Sequence, residues 1–187
     1  LTPRRQVFPW DKAPQTEAIT HFARAVGAAR SGDRETARIA IERLRAIETS
    51  LRDQPGFDWA AQVKVQRLAA EGWLAHARQH DAEALSRLTE AADIEDTTDK
   101  HPVTPGAVLP AREQLGDLLR ELKQPRLALA AYERSLQAAP ARYNSLLGAA
   151  KAAREAGDRK RERELRAGLA RLCAGSSSLR ARVASMD

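Results

Sequence analysis

Residues 109–142 read LPAREQLGDLLRELKQPRLALAAYERSLQAAPAR. The spacing Arg112-x2-Leu115-Gly116-x2-Leu119, then Ala128-x3-Tyr132, then Pro140, implies two helices, Pro110 to Leu122 and Pro125 to Ala138. Leu115, Leu119, Leu129, Tyr132 and Leu136 recur at helical spacing as one apolar stripe. The small residues Gly116 and Ala128 stand where the pair must approach closely, so they are expected to face each other at the tightest crossing. A lone hairpin cannot bury such a stripe, and neighbours must stack on it.

The flanking segments repeat the plan. From Thr16, a candidate cap, Ile19, Phe22, Ala23, Val26 and Ala29 follow at three- and four-residue steps until Ser31-Gly32-Asp33 stops the helix. A second helix, about 34–51, turns Ala37, Ile41, Leu44 and Ile47 inward. Asp58 is placed to cap a long helix through Trp59, Val63, Gly72 and Trp73 to about Gln79, and after a turn at His80-Asp81 its partner runs from Ala82 to Asp93. The fourth pair, Tyr143 to Cys173, turns at Gly157-Asp158. It keeps Leu165, Leu169 and Leu172 on the buried stripe and puts Glu162 where a small residue is expected, as suits a solvated terminal repeat.

The close-contact positions Ala25, Gly72, Gly116 and Ala150 lie 47, 44 and 34 residues apart, so the first two intervals hold insertions of 13 and 10. One insertion lengthens the helix around Trp59; the other is Thr97 to Gly106, too proline-rich to be helical. Residues 1–15, with Pro3, Pro9 and Pro14, are expected to form an extended arm that docks Phe8 and Trp10 on the first repeat. In the 176–187 tail, Leu179, Val183 and Met186 fall at i, i+4, i+7, the pattern of a short capping helix. The expected organisation is therefore an arm (1–15), a helical repeat domain (16–175, with hairpins about 16–53, 57–95, 109–140 and 143–173), and the tail.

The order and spacing of the 109–142 stretch resemble the tetratricopeptide signature, with Arg112 in place of its leading Trp and Leu119 in place of its first Tyr. Residues 22–33 (FARAVGAARSGD) and 100–118 (KHPVTPGAVLPAREQLGDL) are similar to the C-terminal half of a family of bacterial tetratricopeptide-repeat proteins, to which no activity is attached. The resemblance implies an all-α fold, a right-handed α-solenoid of about four antiparallel hairpins. It also implies a longer parent with further repeats before Leu1, hence a truncated N-terminal end open to self-association.

Composition agrees with that class. Aromatic residues make up only 4% against 43% hydrophobic and 30% charged, which favours helices packed through small residues over sandwiches or barrels. No apolar run approaches the roughly 20 residues of a membrane span, so a soluble chain is expected. The single cysteine, Cys173, lies on an apolar stripe and reads as a small buried hydrophobe. Neither it nor the start of the chain at Leu1 indicates a compartment.

No phosphate-binding glycine loop occurs, and no cofactor is expected. His76 and His80 have a chelating spacing but lack a third ligand, so no metal is expected either. Of the net charge of +6, residues 151–187 contribute +5. A basic C-terminal helix raises the alternative of weak binding to nucleic acid or another acidic surface. The i, i+4 pairs Glu155/Arg159, Lys160/Glu164 and Glu162/Arg166, and the lack of interleaved aromatics, argue instead for a solvated face. An enzyme subunit with an unrecognised site is the other alternative. The leading expectation is a non-catalytic scaffold that binds a peptide or partner protein.

The family geometry implies that each first helix lines the concave surface one and four positions beyond its close-contact residue. That selects Val26 and Ala29, Trp73 and His76, Asp117 and Arg120, and Lys151 and Arg154, with Glu113 one turn earlier. Trp73 is the expected anchor of a ligand with one apolar and one acidic end.

Overall fold

The computed structural model of the chain describes residues 10–98 and 107–175. The expectations for Phe8, for most of the Thr97 to Gly106 segment and for the 178–186 helix lie outside these residues. Among the described residues the fold is all-α. A single 3-10 turn, Trp10–Lys12, leads into eight α-helices: α1 (Pro14–Ser31), α2 (Arg34–Leu51), α3 (Trp59–Ala77), α4 (Asp81–Thr97), α5 (Ala111–Glu121), α6 (Pro125–Ala138), α7 (Tyr143–Glu155) and α8 (Arg159–Leu172). None of these helices is long and apolar enough to cross a membrane.

The chain divides into two compact units, Leu1–Ala111 and Arg112–Asp187. In the first, α1 packs on α2, α2 on α3 and α3 on α4, and α1 also touches α3, so the first helices of successive pairs are neighbours. In the second, α6 packs on α7 and α7 on α8. There α5 meets α6 where Gly116 abuts the Tyr132 ring.

The turns inside the pairs follow one local rule. Gly32 ends α1 in the left-handed region (φ 87°), and the Asp33 N–H donates back to the Ala28 carbonyl at 2.9 Å. Asp33 then caps α2 by accepting the Thr36 N–H at 3.0 Å. Gly157-Asp158 repeats the device, with φ 79° at Gly157 and the Arg161 N–H donating to Asp158 at 2.9 Å. The other two turns place Gln79 (φ 64°) and Lys123 (φ 58°) at the same left-handed position. No glycine marks them, so the sequence carries no signal for this conformation. Gly32, Gln79, Lys123 and Gly157 lie 47, 44 and 34 positions apart, the same intervals that separate Ala25, Gly72, Gly116 and Ala150, while a fifth left-handed residue, Gly56 (φ 100°), lies between α2 and α3.

Because a side chain costs about 1–2 kcal/mol in the left-handed region and Gln124 makes no side-chain cap, copying the Gly-Asp dipeptide here should help. Lys123→Gly with Gln124→Asp is expected to raise unfolding stability by about 1–2 kcal/mol in a urea titration. No gain would mean that Lys123 is held there by contacts worth more than its strain.

Alanine dominates the interior: Ala18, Ala25, Ala37, Ala69, Ala84, Ala91, Ala128, Ala149 and Ala152 are all fully buried. Such small side chains let helix axes approach closely. Several expectations need correction. α1 begins at Pro14, with proline in its first turn, and Thr16 is not its cap. α4 continues to Thr97, past Asp93 and into the segment read as non-helical. Ile19 and Leu172 were assigned inward, yet each is 41% exposed. Gly116 faces Tyr132 rather than Ala128: a Cβ added there would lie 2.8 Å from the ring carbons Cε1 and Cζ. Gly148 on α7 approaches the same ring still more closely. Tyr132 is thus wedged between two glycines contributed by α5 and α7.

Candidate interaction faces

In the first unit, the predicted face residues Val26, Ala29 and Trp73 are all buried, and Trp73 is only 2% exposed. The Arg30 guanidinium lies 4.2 Å above the indole ring, close enough for cation-π attraction. The His76 ring meets Trp73 at 6.1 Å in an edge arrangement, and His76 Nδ1 lies 2.7 Å from Asp81 Oδ1. Trp73 therefore does not stand open as the anchor expected from sequence. What this face offers outward is the far side of Arg30 and the half-buried imidazole.

In the second unit, Glu113, Asp117 and Arg120 occupy i, i+4 and i+7 of α5, and each has a partner on another element. Glu113 is 1% exposed. Its carboxylate accepts Arg142 Nε at 2.7 Å, Arg142 Nη2 at 3.2 Å and the Ser145 hydroxyl at 2.5 Å. Ser145 also lies 3.0 Å from the buried Ser135 hydroxyl. Glu113 is accordingly an interior residue, not part of an open surface. Asp117 accepts the Tyr132 hydroxyl at 2.5 Å. Burial, then the neighbouring Asp117 charge, pushes the phenol far above its ordinary value, so it stays a donor at any physiological pH.

Arg120 donates to Glu155 through Nε at 3.1 Å and Nη2 at 2.5 Å, a bidentate pair joining α5 to α7. Lys151 is half-buried on α7 and makes no hydrogen bond or ion pair among the described residues; Arg154, one turn on, is exposed. Sequence reasoning found the α5 residues but missed Arg142, Ser135, Ser145 and Glu155. These hydrogen-bonded pairs span 10 to 35 residues, and no local spacing signals them.

The remaining charges are mostly structural. Glu71 is approached by Arg45 and Arg67 at 2.9 Å and by Arg87 at 3.8 Å, and Glu48 accepts Arg67 at 2.6 Å. These pairs tie α2, α3 and α4 together. His21 is partly buried beside Glu17, and desolvation lowers its pKa, which favours the neutral ring. On α8 the expected Glu162 and Arg166 pair forms at 3.5 Å. Glu155, however, turns to Arg120 instead of Arg159, and Glu164 is held by Arg161 at 2.8 Å rather than by Lys160. Cys173 is fully buried. His76 engages Asp81, and no cluster of three or more potential metal ligands occurs among the described residues.

The arrangement is one of paired ions and covered rings. No protein-family model matches the chain, and no curated protein matches it.

Proposed function

We propose that the chain is a segment of a right-handed tetratricopeptide-like α-solenoid that binds a peptide or partner protein without catalysis, through the faces of its first helices. The observation that carries this reading is the shared interval of 47, 44 and 34 residues. The left-handed residues Gly32, Gln79, Lys123 and Gly157 and the small buried residues Ala25, Gly72, Gly116 and Ala150 step along the chain together. A repeat unit with insertions explains both at once.

Each unit supplies its own ligand contacts. In the first, Arg30 stacked on Trp73 is a cation already fixed in orientation, so a ligand carboxylate costs little side-chain entropy to engage. In the second, the Arg120 and Glu155 pair braces the surface from which Lys151 and Arg154 project. Both favour an acidic segment.

The test is affinity capture by the full chain from a lysate of the cells that produce it, compared with an Arg30→Glu, Lys151→Glu variant. Helicity should be retained, since neither ammonium nor guanidinium is enclosed, with a modest fall in melting where Arg30 no longer covers the indole. Captured partner should fall at least about tenfold, as like charges replace attraction. Undiminished capture would remove these faces from the interaction. Trp73→Ala would not serve here, because the indole is interior and its loss would damage packing.

A further inference from the structure

The two compact units share the charge unequally. Residues 1–111 carry fifteen Lys and Arg against sixteen Asp and Glu, a net of −1, whereas residues 112–187 carry sixteen against nine, a net of +7. Local pairing does not absorb this excess. Glu113 is taken by Arg142, Glu155 by Arg120, Glu133 and Glu164 both by Arg161, and Glu162 by Arg159 and Arg166. The spacing along α8 would have put Glu164 on Lys160; the fold gives it to Arg161, and Lys160 keeps its charge. The side chains of Lys123, Arg126, Lys160 and Arg163 are exposed and make no hydrogen bond or ion pair among the described residues.

These four cations gather along one edge. Arg126 and Lys160 each stand three residues beyond a left-handed turn residue, Lys123 and Gly157 respectively, and are 34 positions apart. Arg126 borders the same hollow as Glu155 and Ala156, which sets the start of α6 beside the turn leading into α8. Arg163 follows Lys160 by three residues, on the side of α8 away from the buried Leu165, Leu169 and Cys173. Residues 121–131 and 156–168, which build the edge, contain no aromatic, and Leu127 is their one exposed large hydrophobic residue.

Without aromatics the edge offers unpaired bases nothing to stack on. With a single leucine it has neither the apolar centre of a protein interface nor the apolar face that enters a bilayer. What it presents is positive charge at a repeated position. A phosphate backbone satisfies that pattern, because each neutralised phosphate releases condensed counterions.

We propose that this edge, through Lys123, Arg126, Lys160 and Arg163, binds the phosphate backbone of double-stranded nucleic acid without reading its sequence. The surface belongs to the starts of the second helices and is separate from the α5 and α7 face described above.

The probe is a fluorescein-labelled DNA duplex of random sequence, titrated with the full chain by fluorescence anisotropy over a series of KCl concentrations. Four phosphate contacts predict that log K falls against log salt with a slope of about −3 to −4. Arg126→Ala with Lys160→Ala should weaken binding about tenfold or more at low salt and make the slope shallower by about two. Both side chains are exposed and unpaired, so helicity should be unchanged; should that variant fail to fold, Lys123→Ala with Arg163→Ala reads the same loss independently. Absence of binding at low salt, a slope near zero, or binding that both double variants leave intact would overturn the proposal. Tighter binding to a single strand than to the duplex would overturn it in favour of base contacts elsewhere. Binding to phosphatidylserine vesicles, or to a poly-glutamate peptide, with none to the duplex would assign the edge to a membrane surface or to an acidic protein instead.

Discussion

Tyr132→Ala is expected to lower the unfolding free energy of the unit by about 3–5 kcal/mol, followed by circular dichroism in urea. The ring is fully buried, and it lies against Gly116 and Gly148, where even a methyl group would collide with it. Removing the ring leaves a cavity flanked by helix backbone, which has no side chain to swing in and fill it. The cost should therefore sit towards the upper end of that range. Tyr132→Phe keeps the ring and removes the hydroxyl's hydrogen bonds, to Asp117 and with Arg120. Asp117 is half-buried and can hydrate, so this change should cost about 1 kcal/mol. If Tyr132→Ala costs no more than Tyr132→Phe, the glycine wedge contributes nothing and the helices close over the gap.

Glu113→Ala should cost about 3 kcal/mol. The carboxylate is interior, and its loss would leave the buried Ser145 hydroxyl with Ser135 alone and take two hydrogen bonds from the Arg142 guanidinium. Because the Arg142 side chain is 23% exposed, water can recover some of its hydrogen bonding, which keeps the cost at the low end of values for a broken buried pair. Replacing Glu113, Arg142 and Ser145 together by Leu, Met and Ala should be much milder than the single change, because the Ser135 hydroxyl is then the one member of the network to lose its side-chain partner. A triple variant as unstable as the sum of its three singles would show that the residues act separately and that the network has no coupling energy.

The sequence by itself determined the parts that depend on near neighbours. Eight helices follow from apolar residues at three- and four-residue steps. The Gly32-Asp33 and Gly157-Asp158 turns follow from one residue that tolerates positive φ and one that caps. Asp58 and Pro125 mark helix starts for equally local reasons. The spacing of the small residues Ala25, Gly72, Gly116 and Ala150 was legible too, since it needs no knowledge of what they touch.

Only tertiary structure decided how those helices use their faces. Gln79 and Lys123 take left-handed conformations that neither residue type favours, because the packed helices on either side dictate the turn. Gly148, unremarkable in sequence, became the second jaw on Tyr132 once α7 was laid against α6. Glu113 and Trp73 moved from a predicted open surface to the interior for a shared reason. Their covers, Arg142 with Ser145 and Arg30, arrive from elements 29 to 43 residues away. A charge or an indole reads as surface until the folded chain brings the group that neutralises or shields it, and that group's identity is set by helix packing rather than by any local spacing.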